Sequence, residues 1–184
     1  MKRSNINILI AVSLIVLAVI ARVINANLHL YNFVPMAALG LFTGAVIKDR
    51  KALAFAIPLA GQLVADLYFQ YFTSTPGFYQ GQLFNYAALG GAALLGLTMK
   101  QIKPTSVLAY IFGASTLFFI VSNFGFFASG YNGYSFAGLV KTYIDAIPFY
   151  RNTILGDLIG GVALFGAYFV AQQLFISKAQ KVKA

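Results

Sequence analysis

Two aspartates inside apolar stretches are the residues of this sequence most able to do chemistry. Asp66 and Asp157 each lie within a long run of mostly apolar residues, and Asn123 lies within another. Ionisable groups at membrane depth are costly, so they usually bind a substrate, carry an ion or pair with another charge. Arg22 and Arg151 stand near the ends of two such runs. The pattern predicts either a polar pocket or an internal Asp–Arg pair that fixes the register of two helices.

Further polar and aromatic residues belong to the same end of the predicted bundle. His29 and Asn32 follow the first apolar run, and aromatic residues crowd this end more than the other. An interfacial aromatic belt normally occupies both ends. The excess therefore favours a site that stacks on or encloses an apolar or planar small molecule. The predicted substrate-binding residues are Asp66, Asn123, Arg151, Asp157, His29, Asn32, Tyr86 and Phe124.

Composition indicates an all-α membrane protein with a single domain. The 184 residues are 60% hydrophobic and only 9% charged, with a mean hydropathy of +0.79. The net charge of +9 does not predict nucleic-acid binding, because the basic residues form short clusters between apolar runs rather than one patch. The absence of cysteine excludes disulfides and thiolate metal sites. We expect the lipid bilayer to be the solvent of this chain.

Six apolar segments predict six transmembrane helices. They cover residues 6–24, 33–47, 52–72, 83–99, 107–128 and 154–176. The second is short for a membrane span, and Pro35 fits its first turn. Pro58 lies inside the third segment and predicts a kink. With Asp66 about 9 Å and Asp157 about 5 Å from the outer ends of their segments, both would lie in the outer third of the bundle.

Basic residues predict the orientation. With the N-terminus inside, ten fall on the cytoplasmic side and three outside, which satisfies the positive-inside rule. Both termini are therefore expected in the cytoplasm, in a bacterial inner membrane. The cytoplasmic set is Lys2, Arg3, Lys48, Arg50, Lys51, Lys100, Lys103, Lys178, Lys181 and Lys183, and the outer set is Arg22, Lys141 and Arg151.

The longest outer connection is predicted to span residues 129–150, between helices five and six. Residues 137–147 read as a short amphipathic helix, with Leu139, Tyr143 and Ile147 among the residues of its apolar face. Pro148 is expected to end this helix. It could lie on the membrane interface or cover the mouth of a cavity.

Small residues predict close helix packing. Gly40 and Gly44 form one GxxxG pair, and Gly156 and Gly160 form another. Such pairs let two backbones approach closely in lipid. Packing within the bundle is the simpler interpretation, and docking of a partner is the alternative.

Several stretches resemble a known family. They are NFVPMAALGLFTGA at residues 32–45, SNFG at 122–125, GL at 138–139, AIPFYRNT at 146–153 and GDL at 156–158. Together they resemble a family of bacterial transport-related proteins of unknown function, which is itself similar to the substrate-binding S components of energy-coupling factor (ECF) transporters. The resemblance covers most of the chain, roughly residues 22–166.

That resemblance implies six helices, cytoplasmic termini and capture of a vitamin or metal ion near the outer face. It also implies partners, namely a transmembrane coupling subunit and two ATPases. The chain departs from the family in one respect. Helix one has Ala11, Ala18 and Ala21, without the alanine-x-x-x-alanine repeat that docks the coupling subunit.

The leading hypothesis is thus an S-component-like subunit for uptake of a small molecule, such as a vitamin or cofactor precursor. A solitary secondary transporter and a non-transporting envelope scaffold are alternatives. An enzyme is not expected, because Asp157 lies in LGDL rather than in the GxGD of intramembrane aspartyl proteases, and the chain has no GxxxxGK[ST], HExxH or GxSxG motif. No cofactor, resident metal or catalytic residue is predicted, although His29 leaves open an axial contact to the cobalt of a cobalamin substrate.

Overall fold

The computed structural model describes residues 3–29 and 32–181, with side chains of residues 11–173 within that range. This part of the chain is all-helical and forms six α-helices and one short 3-10 turn at Lys48–Arg50. The helices are α1 Arg3–Asn27, α2 Met36–Val46, α3 Lys51–Phe72, α4 Gln82–Thr98, α5 Pro104–Ala128 and α6 Phe136–Lys181. The all-helical prediction is confirmed.

Helix length and composition favour a membrane protein. Among the described residues, three segments are long and apolar enough to cross a membrane, and two more helices are apolar but shorter. The exposed faces carry large apolar side chains, which include Val16, Phe112 and Ile159. Lipid-facing helices need such surfaces because nothing in the hydrocarbon layer solvates polar groups. The three long segments are Lys48–Phe72, Pro104–Ala128 and Phe136–Gln173, and the shorter ones are Ala11–Asn27 and Met36–Val46.

Helix α2 is short and central. Its 11 residues rise only about 16 Å, roughly half the thickness of a bilayer core. Residues 36–45 are all buried, and α2 contacts α3, α4, α5 and α6. The helix begins one residue later than Pro35, which is the cap residue rather than part of the first turn. Residues 32–35 are therefore in a non-helical conformation directly before α2 begins.

Glycines let α2 and α4 approach backbone to backbone. A Cβ atom added at Gly44 would overlap the carbonyl oxygen of Ala93, and one at Gly96 would overlap that of Leu41. The pair formed by Gly156 and Gly160 instead faces residues 33–35, ahead of α2. Both GxxxG pairs thus pack inside the bundle, as the simpler interpretation predicted.

We expect Gly44→Ala to lower the free energy of unfolding by about 1–3 kcal/mol, since the new methyl group must push two backbones apart. Gly90→Ala on α4 is the matched control, because a Cβ there meets nothing within 4 Å. That substitution should raise stability by about 0.5–1 kcal/mol through helix propensity alone. Equilibrium unfolding of the detergent-solubilised variants, followed by far-UV circular dichroism, checks both signs. Equal effects of the two substitutions would contradict the packing.

Helix α6 differs from the prediction. The expected long connection is only residues 129–135, and the expected amphipathic segment is the first part of α6, which continues through Pro148. A proline removes one backbone donor and tends to bend a helix, yet helices in lipid continue through it when neighbouring groups satisfy the freed carbonyl. The 46-residue helix is about 69 Å long along its axis. Pro58 likewise lies inside the continuous helix α3.

The first part of α6 packs along the second half of α5. Gly138, Thr142 and Ala146 form its buried face, whereas Ile144 and Ile147 are exposed. Beside them, the hydroxyl of Tyr143 donates to a backbone carbonyl of α5 at 2.7 Å. The small residues face the bundle because helix packing requires close approach there, and the larger apolar residues face outward.

Basic residues gather at one end of the bundle. Lys48, Arg50 and Lys51 connect α2 to α3, and Lys100 and Lys103 lie between α4 and α5. The Lys48 ammonium donates to the carbonyl of Met99, which ties these two connections together. Lys2 and Lys183 of the predicted cytoplasmic set, and the side chains of Arg3, Lys178 and Lys181, lie outside the described part.

Candidate functional site

A cavity of about 660 Å³ occupies the end of the bundle opposite these basic residues. All six helices contribute to its lining, together with the connections that follow α1 and α3. It lies where α1, α3 and α5 end and where α4 begins, and the start of α2 forms part of its wall. Ligand sites for small molecules usually measure about 300–1,000 Å³, so the cavity has the size of such a site.

Four of the eight predicted site residues line this cavity. His29 and Asn32 come from the connection between α1 and α2, Asn123 from α5 and Asp157 from α6. These residues are far apart in sequence, and the helical packing brings them to one space. The connections and helix ends that carry them are the elements that form the site.

The other four do not line it. Asp66 lies behind the wall, and Tyr86 donates to its carboxylate at 2.7 Å. Arg151 and Phe124 are exposed on α6 and α5. The sequence indicates how far along a helix a residue lies. It does not indicate whether the residue is on the side of the helix that faces the cavity.

Asp66 is held by four side chains at the wall of the cavity. Arg22 of α1 forms an ion pair with it at 2.6 Å, and Gln82 of α4 donates to it at 2.5 Å. Gln62, one turn earlier on α3, donates to both carboxylate oxygens at 3.1 Å. The fourth donor is the hydroxyl of Tyr86. The carboxylate side chain is 1% exposed, so its desolvation is compensated by one cation and three neutral donors.

This cluster ties three helices and a connection together. Gln82 also donates to the carbonyl of Gly77 at 3.0 Å, and Gln70 accepts from the N–H of Gly77. The guanidinium of Arg22 lies 5.4 Å from the ring centroid of Phe69, within the range of a cation–π contact. Asp66 and Arg22 form the kind of internal Asp–Arg pair that the sequence offered as an alternative to a pocket. Arg22 and Gln62 also line the cavity.

Asp157 binds the beginning of α2. One carboxylate oxygen accepts from the backbone N–H of Ala38 at 2.9 Å, and the other accepts from the hydroxyl of Ser115 at 2.7 Å. The first turn of a helix has N–H groups without helical partners, so a side-chain acceptor caps it. Here α2 is capped by a residue from another helix. No cation of the described residues forms an ion pair with Asp157, which is completely buried yet lines the cavity.

The depth predicted for Asp157 is wrong. It was expected about 5 Å from the outer end of a helix beginning near residue 154. Helix α6 begins at Phe136, and Asp157 contacts Ser115, near the middle of α5. The carboxylate therefore lies halfway along the bundle, at the inner end of the cavity.

The connection into α2 has an uncommon backbone. His29 and Asn32 have φ values of 55° and 60°, in the left-handed region. Asparagine tolerates this region better than most residues, and such residues concentrate where surrounding structure over-determines the chain. Irregular backbone at membrane depth is found where it is buried in protein or lines a cavity. Both residues line the cavity here.

Aromatic side chains form the wall contributed by α5 and α6. The rings of Phe119 and Tyr150 lie 4.5 Å apart, and both line the cavity with Phe118, Phe126 and Phe149. The hydroxyls of Tyr150 and Thr116 share a hydrogen bond of 2.6 Å. This wall can pack against a planar ligand.

Sequence reasoning missed several polar residues at or beside the cavity, including three within or next to apolar stretches. Asn25, Gln62 and Ser115 are uncharged and occur in apolar stretches, where each looks like an ordinary small or polar helix residue. The spacing of Gln62 and Asp66, four residues apart, would have placed both on one helix face. Among the described residues, no group of three or more histidine or acidic side chains could hold a metal ion.

The profile of a family of unknown function, DUF6580, matches residues 2–180. The chain belongs to this family. No curated protein and no solved structure shows a significant match. The family's description names no activity, substrate or partner, so the geometry of the cavity carries the functional argument.

Proposed function

We propose that the chain is a membrane-embedded substrate-binding subunit, similar to the S components of ECF transporters, which takes up a small molecule. The cavity is the observation that carries this proposal. It has the volume of a ligand site, and side chains from all six helices line it. A vitamin or cofactor precursor is the kind of substrate that suits such a site in a bacterial inner membrane.

The proposal includes six membrane crossings with both termini in the cytoplasm. Helix α2 is long enough for only about half the membrane, and residues 32–35, which precede it outside any helix, would extend the crossing. The basic residues of the two connections described above would then face the cytoplasm. The cavity would face outward, where a subunit for uptake meets its substrate.

A solitary transporter is the second candidate. Asp157 is a buried carboxylate without a cationic partner among the described residues, as expected of a group that exchanges a proton or cation during transport. A subunit that depends on ATPases would need a coupling partner, because the sequence has no phosphate-binding loop.

Filling the cavity tests the proposal. Ser122 lines it from α5, and Ser122→Phe places a ring in the space a ligand would occupy. We expect a small molecule to co-purify with the parent protein and to be absent from this variant, as detected by mass spectrometry of the denatured samples. Cells that produce the parent protein should also accumulate the labelled compound about tenfold or more faster than cells that produce the variant.

Leu108→Phe is the matched control. Leu108 lies on the same helix, is exposed and does not line the cavity. It should retain both the bound molecule and the uptake. Identical small-molecule contents and uptake in the parent and Ser122→Phe proteins would rule out the cavity as a transport site.

A further inference from the structure

The hydrogen bonds around the cavity leave several acceptors in its lining. The hydroxyls of Ser122 and Thr153 donate to backbone carbonyls of their own helices, so their oxygens remain as acceptors. The side-chain amide of Asn123 donates one N–H to the carbonyl of Phe119 at 2.7 Å, which leaves its oxygen and its second N–H. The side-chain nitrogen of Gln62 donates to both carboxylate oxygens of Asp66, which leaves the Gln62 side-chain oxygen as an acceptor. An acceptor-lined site binds ligands that donate.

Asn25 supplies a second observation. It lines the cavity, is only 8% exposed, and forms no side-chain hydrogen bond with any other described residue. A buried amide without a partner costs free energy unless water or a ligand satisfies it. No fully buried side-chain N or O atom of the described residues lacks a hydrogen-bond partner, so the Asn25 amide is open to the cavity, where water or a polar ligand can bind it.

With Asp157 ionised, Arg22, Asp66, Asp157 and the first turn of α2 together leave the cavity slightly negative. The guanidinium of Arg22 is balanced by Asp66 at 2.6 Å. The first turn of α2 contributes about half a positive charge, and Asp157, when ionised, contributes a full negative charge against it. The remaining charge, about half a negative unit, disfavours carboxylates and phosphates and favours cations.

Resting on the proposed function, we propose that the substrate is a planar, nitrogen-containing molecule, cationic or neutral, that donates N–H groups to Asp157 and to the cavity amides. Its ring packs on the wall of Phe119 and Tyr150, whose centroids lie 4.5 Å apart. Asp157 can accept more bonds, because a carboxylate has about four acceptor positions and the described residues use two of them.

Three probes of one shape test the preferred charge. Benzamidine, benzamide and benzoate share a ring and a planar substituent, and they are respectively a cation, a neutral donor and an anion near neutral pH. Binding is measured by ligand-observed NMR titration of the full chain in phosphatidylcholine nanodiscs, with empty nanodiscs subtracted. We expect benzamidine to bind about tenfold or more tightly than benzoate, with benzamide between them.

Two variants locate the interaction. Asp157→Asn should weaken benzamidine about tenfold and reduce its advantage over benzamide, because it removes the charge and keeps the cap. Asn25→Leu should weaken benzamidine and benzamide several-fold, and its melting temperature should equal or exceed that of the parent, since it removes an amide without a partner. Asp145 is exposed on α6, so Asp145→Asn should change the binding of neither benzamidine nor benzamide.

The outcomes separate the two proposals. Benzoate binding as tightly as benzamidine, or full benzamidine binding by both cavity variants, would overturn the ligand class and leave the transport site standing. If none of the three probes binds, or if Ser122→Phe weakens none that bind, the ligand class falls, and the co-purification and uptake experiment alone decides the transport site.

Discussion

Replacement of Asp66 with asparagine is expected to lower the free energy of unfolding by about 3–5 kcal/mol, the range for breaking a buried ion pair on one side. The substitution leaves the Arg22 guanidinium, whose side chain is 18% exposed, without its anion. It also places an amide N–H₂ where the carboxylate accepts from Gln82 and Tyr86. Unfolding of the detergent-solubilised protein, followed by far-UV circular dichroism, measures the loss.

Asp145→Asn is the control for this experiment. Asp145 pairs with Lys141 at 2.6 Å, but both side chains are more than half exposed. Exposed pairs one helical turn apart contribute only about 0.3–0.5 kcal/mol. A protein with Asp66→Asn that is as stable as the parent and has lost only its ligand would show that Asp66 serves recognition rather than structure.

Asp157→Leu is expected to cost about 2–4 kcal/mol, and Asp157→Asn about 1 kcal/mol or less. Leucine removes the cap of α2 and the acceptor of Ser115, two bonds that the carboxylate makes at 2.9 and 2.7 Å. Asparagine caps helices about as well as aspartate, and the Ser115 oxygen can accept from its amide. The same unfolding measurement compares the two variants.

Ser115→Ala completes the test of this second prediction. If Asp157 and Ser115 act together, the loss in the double variant with Asp157→Leu will be smaller than the sum of the two single losses. Strict additivity, or a loss in Asp157→Asn as large as that in Asp157→Leu, would show that the carboxylate stabilises the protein by another route.

Helices α3 and α5 were predictable because each is a long apolar run. Composition and run length placed the helical part of α3 and α5 within a few residues of the observed ends. Whether a residue lies inside the bundle was harder to predict from the sequence. Arg151 and Asn123 look alike in sequence as polar residues next to aromatic ones, yet Arg151 is exposed and Asn123 lines the cavity. The rotation of a helix about its axis depends on neighbours that one sequence does not display.

Pro148 explains the largest error. A proline at the end of an amphipathic run is usually a boundary, and this expectation shifted the beginning of the last helix by nearly twenty residues. The depth of Asp157 was measured from that wrong beginning. The uncharged residues of the cavity were missed for a different reason. Asn25 acquires its role only through the cavity, which is a tertiary feature. Gln62 contacts Asp66 within one turn of α3, so its spacing was the signal that could have revealed it.

The cap of α2 has a consequence for biosynthesis. Ala38 and Asp157 are 119 residues apart in the chain. At about 5–20 residues per second, a ribosome needs roughly 6–24 s to add the capping carboxylate after the N–H it binds. During that interval α2 is too short to cross the bilayer alone, and its first turn has no partner from α6. The central helix of the mature protein is therefore among the last to reach its final environment, and a chain truncated before α6 would leave its first turn without this cap.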